Sequence, residues 1–363
     1  MRICYLADGQ SIHTKKWIGY FAQKGYDVHL LTFNTTDQID GVHVHNLRYR
    51  SRLAYLSRIL AVRKAVKEIN PDILHAHYVS TYGVYGALTS FRPFVVSAWG
   101  SDVLIDPRRS LIKKCLVEYV LNRADLITVD SSLSTRSVIE DFGAEEKKAK
   151  LIIHGVDLRA FHPIENREDF KKAQGIPQSY RVVISTRCLN PIYDVGTFIK
   201  AIPYVIDKYL NACFLIVGDG ILRRQLEELT CKLGIAEKVR FVGLISNEKM
   251  PEYLGASDIY VSTSLSDTRS ISLLEAMACA LPVVGTDLEG NRELMKDGVN
   301  GFTFSEGDFE GLAEKILFLL ENEDIRKKFG LANRRIAERE GDYEKEMSRM
   351  GKLYKELVAG YNV

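Results

Sequence analysis

The sequence of 363 residues has few cysteines and no long apolar run. No two cysteines form a C-x-x-C pair, which favours free thiols over a disulfide or zinc framework; the six are Cys4, Cys115, Cys188, Cys213, Cys231 and Cys279. No segment approaches the roughly 18 consecutive apolar residues of a membrane-spanning helix. The first apolar run ends at Asp8 and is too short for a secretory signal. The sequence therefore predicts a cytoplasmic protein.

Two nucleotide-binding motifs and a strong charge excess are also missing. The chain contains neither G-x-G-x-x-G nor G-x-x-x-x-G-K-[ST], which counts against dinucleotide oxidoreductases and P-loop NTPases. Its net charge of +2 gives no support to nucleic acid as a partner. The total hides an asymmetry, since Met1 to Arg123 carry 17 basic and 9 acidic residues, a net +8, and the remainder carries −6. The two halves are expected to meet different partners.

Short apolar, β-branched runs alternate with segments of helical period along the whole chain. This alternation is typical of parallel βαβ units. Continuous apolar runs such as FVVSA and FLIVG predict strands that are buried on both faces. The sequence therefore predicts an α/β protein with two Rossmann-like, doubly wound domains, at 1–163 and 164–342. The polar stretch 161–180 is expected to be a linker, and 343–363 to contain an amphipathic helix.

Chemically useful residues follow many of the predicted strands. Ligands of open α/β sheets bind beyond the carboxyl ends of the strands, and glycines there allow backbone N–H groups to approach a phosphate. By itself the V-G-D-G run fits a turn as well as a ligand contact. The segments concerned are 8–11, His77, 99–102, 154–157, Arg187, 218–220 and 264–272.

Two H-x-H pairs raise the question of a metal site. His43 and His45, like His75 and His77, would share one face of a strand. Because no third ligand of suitable spacing lies nearby, ordinary strand histidines are favoured over zinc ligands. His77 differs from the others because it ends its strand.

Two acids in the second half of the chain have an informative spacing. Asp267 and Glu275 have seven residues between them in SLSDTRSISLLEAMACALPVV. A loop followed by a helix would let both face a ligand crevice, where a carboxylate accepts hydrogen bonds from a ribose diol. Ser272-x-x-Glu275 also fits a helix capping box, and the spacing leaves both interpretations open.

Taken together, these motifs resemble those of the retaining GT-B glycosyltransferases of family 4, over nearly the whole chain. The resemblance is carried by the two acids with their L-L-E-A-M-A-C-A-L-P-V-V continuation, by H-G-V-D at 154–157, V-G-D-G at 217–220, G-V-N-G-F at 298–302 and W-G-S-D at 99–102. It implies two domains that face each other across a cleft, with the last helix returning to the first domain. It also implies that no metal or cofactor takes part, and no D-x-D motif stands at a strand end.

The resemblance assigns roles to individual residues. Glu275 would bind the ribose, and Arg187 the diphosphate. Asp267 would contact the transferred sugar with the backbone of Thr268, Arg269, Ser270 and Ile271. Gly9, Gln10 and Gly218 would complete the donor site. Arg187, Asp267 and His77 are the candidate catalytic residues.

Three departures from the family pattern limit this assignment. Asp267 is one methylene shorter than the usual Glu, and Ile192-Tyr193 stand where Lys-Gly is usual. Trp99 replaces a histidine that often contacts the donor sugar. The residues that could fill the space of that histidine are His77, His13, Ser101 and Asp102. The candidates for the acceptor side are His13, Trp99, Ser101 and Asp102.

The implied function is transfer of a hexose-type sugar, with retention, from a nucleotide diphosphate sugar to a glycan or lipid-linked hydroxyl, as in glycan or lipopolysaccharide biosynthesis. The alternatives are a nucleotide-sugar epimerase or phosphorylase, and a catalytically weak nucleotide-sugar-binding subunit.

The basic segment 48–67 places an apolar stripe of Leu53, Leu56, Leu60 and Val66 among arginines and lysines. One interpretation is that this segment contacts the inner face of an anionic membrane. The favoured interpretation is an ordinary helix whose apolar stripe packs against the sheet.

Overall fold

A computed structural model describes residues 1–47, 54–164 and 166–361. They form two compact units, the first comprising Met1–His154 with Glu344–Val363 and the second Gly155–Tyr343. The domain limits drawn from the sequence, 163 and 342, differ from these bounds and stay a prediction.

Unit 1 is built on a seven-stranded parallel sheet. Its strands are β1 (Arg2–Leu6), β2 (Asp27–Thr32), β3 (Val42–Asn46), β4 (Ile73–His77), β5 (Phe94–Ala98), β6 (Leu126–Val129) and β7 (Ala149–Leu151). They lie in the order β3-β2-β1-β4-β5-β6-β7, so the chain reverses its direction of growth between β1 and β4. The helices are α1 (Ile12–Gln23), α2 (Ala54–Ile69), α3 (Val84–Thr89), α4 (Ser101–Leu104), α5 (Leu111–Arg123) and α6 (Ser132–Arg136).

Unit 2 repeats this plan with a six-stranded parallel sheet. Its strands are β8 (Arg181–Ser185), β9 (Ala212–Val217), β10 (Val239–Gly243), β11 (Ile259–Ser262), β12 (Val283–Thr286) and β13 (Gly301–Phe304), in the order β10-β9-β8-β11-β12-β13. Its helices are α7 (Glu168–Ala173), α8 (Val195–Lys208), α9 (Arg223–Lys232), α10 (Met250–Gly255), α11 (Ile271–Ala278), α12 (Glu289–Arg292), α13 (Phe309–Glu321) and α14 (Glu323–Glu340). Both orders are those of a doubly wound Rossmann sheet, and the predicted fold class is confirmed.

The apolar runs of the sequence form the central strands because both faces of each sheet are covered. Every residue of β4, β5 and β9 is buried. Strands buried on both faces need continuous rather than alternating apolar sequence, and burying each large side chain contributes about 1.5–3 kcal/mol. The central strands are therefore well packed, and their packing fixes the positions of the residues at their ends.

The predicted linker at 161–180 is wrong. Helix α7 forms within it, and Phe161, Phe170 and Ile176 are each at most 4% exposed in the core of unit 2. Lys171 Nζ donates to the carbonyl oxygens of Gln178 and Tyr180, at 3.0 and 2.8 Å. The polar composition misled the prediction because three apolar side chains suffice to anchor the segment.

The last helix, α15 (Tyr343–Tyr361), confirms the helix predicted there, and from Glu344 onward it belongs to unit 1. Its Tyr354 is fully buried, and the hydroxyl lies 2.5 Å from His75 Nδ1 and 3.1 Å from Tyr5 Oη. His75 Nε2 lies 2.8 Å from Ser97 Oγ. A hydrogen-bonded chain thus joins the end of the polypeptide to three strands of the first sheet.

Helix α2 includes much of the basic segment considered for membrane contact. Val62 and Val66 are buried against unit 1, whereas Leu60 is 64% exposed. The described part of the apolar stripe is therefore split between core and solvent; residues 48–53 and the side chains of 54–56, Leu53 and Leu56 included, lie outside the described structure. Within the described ranges no helix is both long and apolar enough to cross a membrane.

Candidate functional site

The reversal of strand order in unit 2 creates a crevice between the carboxyl ends of β8 and β11. Arg187 follows β8, and the segment 264–272 follows β11 and leads into α11. Open α/β sheets bind their ligands at such a switch point. The structure thus brings Arg187 together with the segment 264–272, which carries Asp267.

Arg187 is held by a ring of oxygen atoms at the start of α11. Nη1 donates to Ser270 Oγ at 2.8 Å and to Ser272 Oγ at 2.6 Å, and Nη2 donates to Asp267 Oδ2 at 2.8 Å. Only 8% of the arginine is exposed. Its Nε is buried and has no hydrogen-bond partner among the described residues. The guanidinium is therefore fixed in place and keeps one unsatisfied donor.

The charge on Arg187 is secure despite its burial. Burial, the largest single influence, lowers the pKa of the guanidinium, but Asp267, Tyr260 and Tyr193 together raise the pKa by more, so that it ends above its usual value. The Tyr193 ring lies against the cation, with its centroid 4.3 Å from the guanidinium carbon. An aromatic face, rather than the lysine usual in the family, thus stands beside the arginine, and contacts of this kind stabilise a cation.

The predicted capping box is replaced by a different cap. Ser270 is the N-cap of α11, and its hydroxyl accepts from the backbone N–H of Leu273 at 3.4 Å. Ser272 Oγ instead accepts from Arg187 and, at 2.9 Å, from Tyr260 Oη. Glu275 lies half-buried as the fifth residue of the helix. Capping by Ser270 places both serine hydroxyls beside the guanidinium.

The remaining donor candidates are placed less directly. Gly218 has φ +145°, and a Cβ there would come within 2.5 Å of the Arg187 carbonyl oxygen, so this glycine allows the chain to pass close behind the arginine. The Arg269 side chain is buried in ion pairs with Glu293 and Glu340, at 3.3 and 3.1 Å. Its guanidinium stabilises the segment, which leaves only its backbone for the predicted sugar contact. Thr268 and Ile271 are half-buried on either side of the cap.

Unit 1 has a second crevice at its own strand reversal, between β1 and β4. A cavity of about 600 Å³ opens there, and His77 and Trp99 contribute to its wall. The other lining residues are mostly polar or aromatic: Asp8, Ser11, Phe33, Asn34, Arg58, Tyr78, Ser80, Thr81, Tyr82 and Tyr85. The π-helical turn Val79–Gly83 after β4 supplies several of them. A wall of this kind suits a ligand with hydroxyl groups and apolar faces.

His77 is the buried polar group of this cavity wall. Its Nδ1 lies 3.4 Å from Thr14 Oγ1, and its Nε2 is buried without a hydrogen-bond partner in the described structure. The Trp99 ring centroid is 4.8 Å away. Burial, reinforced by the neighbouring His75, holds the pKa of His77 well below its usual range. The imidazole is therefore neutral, and its Nε2 is an unsatisfied polar atom buried in the cavity wall.

His13 and His154 belong to the same aromatic cluster. Their ring centroids are 4.9 Å apart, and His154 is also 4.9 Å from Trp99. Burial lowers the pKa of His13 to about 4 and that of His154 well below 6.5. Both are neutral at pH 7.

Asp102 holds the protein backbone rather than facing the cavity. Its Oδ2 accepts from the Val79 N–H at 2.6 Å and its Oδ1 from the Trp99 N–H at 2.9 Å. Burial raises its pKa to about 7. These contacts favour a positioning role for Asp102, whereas Ser101 is exposed and its Oγ lies 2.9 Å from Tyr78 Oη.

Gly9 and Gln10 lie in the loop after β1. A Cβ on Gly9 would approach Thr36 to 2.8 Å, and Gln10 Nε2 donates to the Thr35 carbonyl oxygen at 3.0 Å. The loop is thus tied to the segment after β2. Its direct role in phosphate binding stays a prediction.

Sequence reasoning missed Ser272, Tyr193 and Tyr260 as side chains of the arginine site. Ser272 had a signal, since it stands three positions before Glu275, but the capping box was the more familiar explanation. Tyr260 lies within a strand, and Tyr193 was noted only for occupying the lysine's neighbourhood. Contacts of this kind depend on the packing of three separate segments.

Two protein-family models match the chain. The model for "Glycosyl transferase 4-like" proteins matches residues 2–131, and that for "Glycosyl transferases group 1" matches residues 166–336. Together they span most of both units.

Three individual proteins are similar to most of the chain. N-acetyl-alpha-D-glucosaminyl L-malate synthase of Bacillus anthracis is 24% identical and aligns with 98% of this chain and 96% of its own. An Escherichia coli UDP-Gal:alpha-D-GlcNAc-diphosphoundecaprenol alpha-1,3-galactosyltransferase is 26% identical over 79% of this chain and 76% of its own. The crystal structure of Anabaena HepE in complex with UDP has a TM-score of 0.85 at 21% identity, covering 98% of this chain and all of that one. This structural likeness shows that the chain and HepE share a fold.

Proposed function

The chain belongs to the GT-B glycosyltransferases of family 4, and from that premise we propose that it is a retaining, metal-independent hexosyltransferase. Its donor would be a nucleotide diphosphate sugar bound at the carboxyl ends of β8 and β11. The observation that carries this proposal is the buried Arg187, fixed by Ser270, Ser272 and Asp267 at the switch point of unit 2. A preorganised cation of this kind stabilises a departing diphosphate without reorganising during the reaction.

The ion pair between Arg187 and Asp267 suggests how the donor enters. The Asp267 carboxylate occupies one edge of the guanidinium, at 2.8 Å from Nη2. A diphosphate would displace the carboxylate, because it carries more charge and offers more oxygen atoms to the guanidinium. Asp267 would then turn to a hydroxyl of the transferred sugar, as the family pattern implies. The arginine and the start of α11 would together neutralise the leaving group.

The proposed retention is supported by the family pattern and by the chemistry of the leaving group. A donor phosphate oxygen can deprotonate the acceptor on the face from which the diphosphate departs. The transition state resembles an oxocarbenium ion, so positioning and charge stabilisation do most of the catalysis. No nucleophile is required of the protein in this scheme.

We assign the acceptor to the cavity of unit 1. Its hydroxyl-bearing and aromatic wall suits a sugar or a lipid-linked glycan. The wall also holds His77, whose buried Nε2 has no hydrogen-bond partner in the described structure. The Escherichia coli relative is named for a sugar carried on diphosphoundecaprenol. A lipid-linked saccharide is therefore the first acceptor to test.

The donor is identified by thermal unfolding with UDP-, GDP-, ADP- and dTDP-hexoses in the presence of EDTA. UDP-glucose is the first choice, since HepE was crystallised with it. A donor at 100 times its Kd should add about 2.7 kcal/mol to the free energy of unfolding. Arg187→Ala should lose this gain, whereas the matched control Arg224→Ala, on an exposed side chain paired with Glu228, should keep it. No stabilisation by any of the four donors would contradict the proposal.

We also propose that the start of α5 contacts an anionic membrane surface. Leu111 and Ile112 are 81% and 73% exposed and lie among basic residues; these are Arg108, Arg109, Lys113 and Lys114. Exposed apolar side chains beside cations suit an interface with acidic lipid. This patch fits the membrane hypothesis better than the described part of α2 does.

Vesicle flotation tests the membrane patch. The chain should float with vesicles containing anionic lipid, and high salt should release it. Leu111→Glu should weaken binding about tenfold, a loss of about 1.4 kcal/mol, whereas Leu60→Glu on α2 should leave it unchanged. Equal binding by the two variants, or no binding by the wild type, would remove α5 as the contact.

A further inference from the structure

Four side chains of residue types that can bind a metal lie on one face at the edge of the first sheet. Strand β3 is the edge strand and pairs in parallel with β2, with His29 opposite His43. Alternate residues of a strand point to the same side, so Asp27 joins His29, and His45 joins His43. Two sequence pairs, D-x-H and H-x-H, are thus brought together by strand pairing.

The side-chain atoms of three of these residues converge. Asp27 Oδ1 lies 3.1 Å from His29 Nε2 and 3.7 Å from His43 Nε2, and the three ligand atoms all lie within 4.8 Å of one another. Tetrahedral ligands at 2.0–2.2 Å from a metal are separated by roughly 3.3–3.6 Å. Two separations already bracket this value. The third can close because His43 has 67% of its side chain exposed and is free to turn.

A second layer of contacts orients the ligands. Arg2 Nε donates to Asp27 Oδ2 at 2.6 Å, which leaves Oδ1 directed at the two imidazoles. His29 Nδ1 lies 3.0 Å from His45 Nε2, so the ring nitrogen away from Asp27 is also engaged. Hydrogen bonds to the far nitrogen of a ligand histidine fix its ring and tautomer in metal sites. The cluster therefore has positioned ligands as well as suitable ones.

The geometry points to a divalent transition-metal site formed by Asp27, His29 and His43, with Arg2 and His45 as positioning residues. Imidazole and carboxylate together suit Zn²⁺, Ni²⁺ and Cu²⁺, and three protein ligands leave one position for water. Asp27 begins β2, and His43 is the second residue of β3. The ion would thus lie toward the amino ends of the strands, whereas the cavity of unit 1 is at the carboxyl ends. Its role is structural, because it fastens the edge strand to its neighbour.

The test uses the full chain without a tag, stripped of metal by a chelator and titrated with Co²⁺ and Zn²⁺. We expect one equivalent of Co²⁺ to give a ligand-field absorption band without thiolate charge transfer. His43→Ala removes an exposed ligand at little cost in folding and should weaken binding at least about 100-fold. His45→Ala should weaken it about 10- to 100-fold through His29. His162→Ala, at an exposed histidine of unit 2, is the matched control and should bind as the wild type does.

Stability provides a second readout that is independent of activity. Zn²⁺ at 100 times its Kd should raise the free energy of unfolding by about 2.7 kcal/mol in the wild type and in His162→Ala. His43→Ala should show no such gain. The proposal is overturned if micromolar Zn²⁺ does not bind, if His43→Ala binds as tightly as the wild type, or if Co²⁺ shows thiolate bands from the cysteines.

Discussion

At the scale of residues, the sequence predicted which side chains meet but not how they pair. The resemblance assigned Arg187 to the diphosphate and Asp267 to the sugar, and strand-end reasoning indicated only that both follow strands. That the two form a buried ion pair depends on the course of the loop after β11. Strand-end reasoning identifies neighbourhoods, since parallel strands end at one edge. It gives no side-chain directions within them.

Asp267→Asn tests the displacement of this ion pair. The amide has the same shape but no charge, so a nucleoside diphosphate no longer competes with a carboxylate for Arg187. We expect the nucleoside diphosphate to bind about tenfold more tightly, a gain of about 1.4 kcal/mol, while sugar transfer becomes slower. Calorimetric titration measures the affinity. Weaker nucleotide binding by the variant would mean that Asp267 supports the phosphate site instead.

His75 makes stability depend on pH in a predictable direction. Burial lowers its pKa to about 3, whereas in the unfolded chain the pKa is about 6.5. The unfolded state alone therefore binds a proton between these values, and this residue's contribution is complete above pH 6.5 and lost as the pH falls toward 3. The loss is about 1.4 kcal/mol per pH unit.

Urea unfolding of the wild type and His75→Asn at several values between pH 7 and pH 5 measures this dependence. The difference in unfolding free energy between the two proteins should narrow as the pH falls, because only the wild type carries the His75 imidazole. The other buried histidines are common to both and cancel. A difference that stays constant or widens would show that His75 is protonated in the folded protein.

At the scale of elements, buried strands were predictable and contacts between strands were not. The apolar runs of β4, β5 and β9 predict strands because period and composition agree. The histidines of β3 were taken as ordinary, since no third ligand lay nearby in the sequence. Asp27 and His29 are more than ten positions away and become neighbours only through the pairing of β2 with β3.

In the H-G-V-D motif at 154–157, Gly155 allows two segments of backbone to pack closely against each other. Gly155 has φ +62°, and a Cβ there would lie 2.6 Å from Tyr343 Cα and 2.8 Å from its nitrogen. The backbone of Val156 also exchanges hydrogen bonds with Gly341 and Tyr343, at 2.7 and 3.2 Å. The motif therefore joins the start of unit 2 to its end.

Gly155→Ala should cost at least about 2 kcal/mol more than Gly143→Ala. Both positions require positive φ, but Gly143 has no described atom within 4 Å of its added Cβ. The control therefore carries the backbone strain of about 1 kcal/mol without the collision. Chemical unfolding of the two variants gives the difference. Equal losses would mean that the segment around Tyr343 moves aside freely.

At the scale of the whole molecule, the charge asymmetry found in the sequence follows the two units. Unit 1 has 25 basic and 18 acidic residues, a net +7, and unit 2 has 24 and 29, a net −5. The unit assigned to the phosphate-bearing donor is thus the acidic one. A buried arginine and the start of a helix act locally, whereas the charge of surface residues is screened within about 10 Å. The basic unit is the one with the candidate membrane patch.

The role of Arg187 in stabilising the departing diphosphate is measured most directly by the turnover of Arg187→Ala with the donor selected by the thermal panel, followed as release of nucleoside diphosphate. We expect kcat to fall by about 10² or more, the usual cost of removing a preorganised charge contact. Arg224→Ala should turn over as the wild type does. Wild-type turnover by Arg187→Ala would contradict the account, because the departing diphosphate would then be stabilised elsewhere.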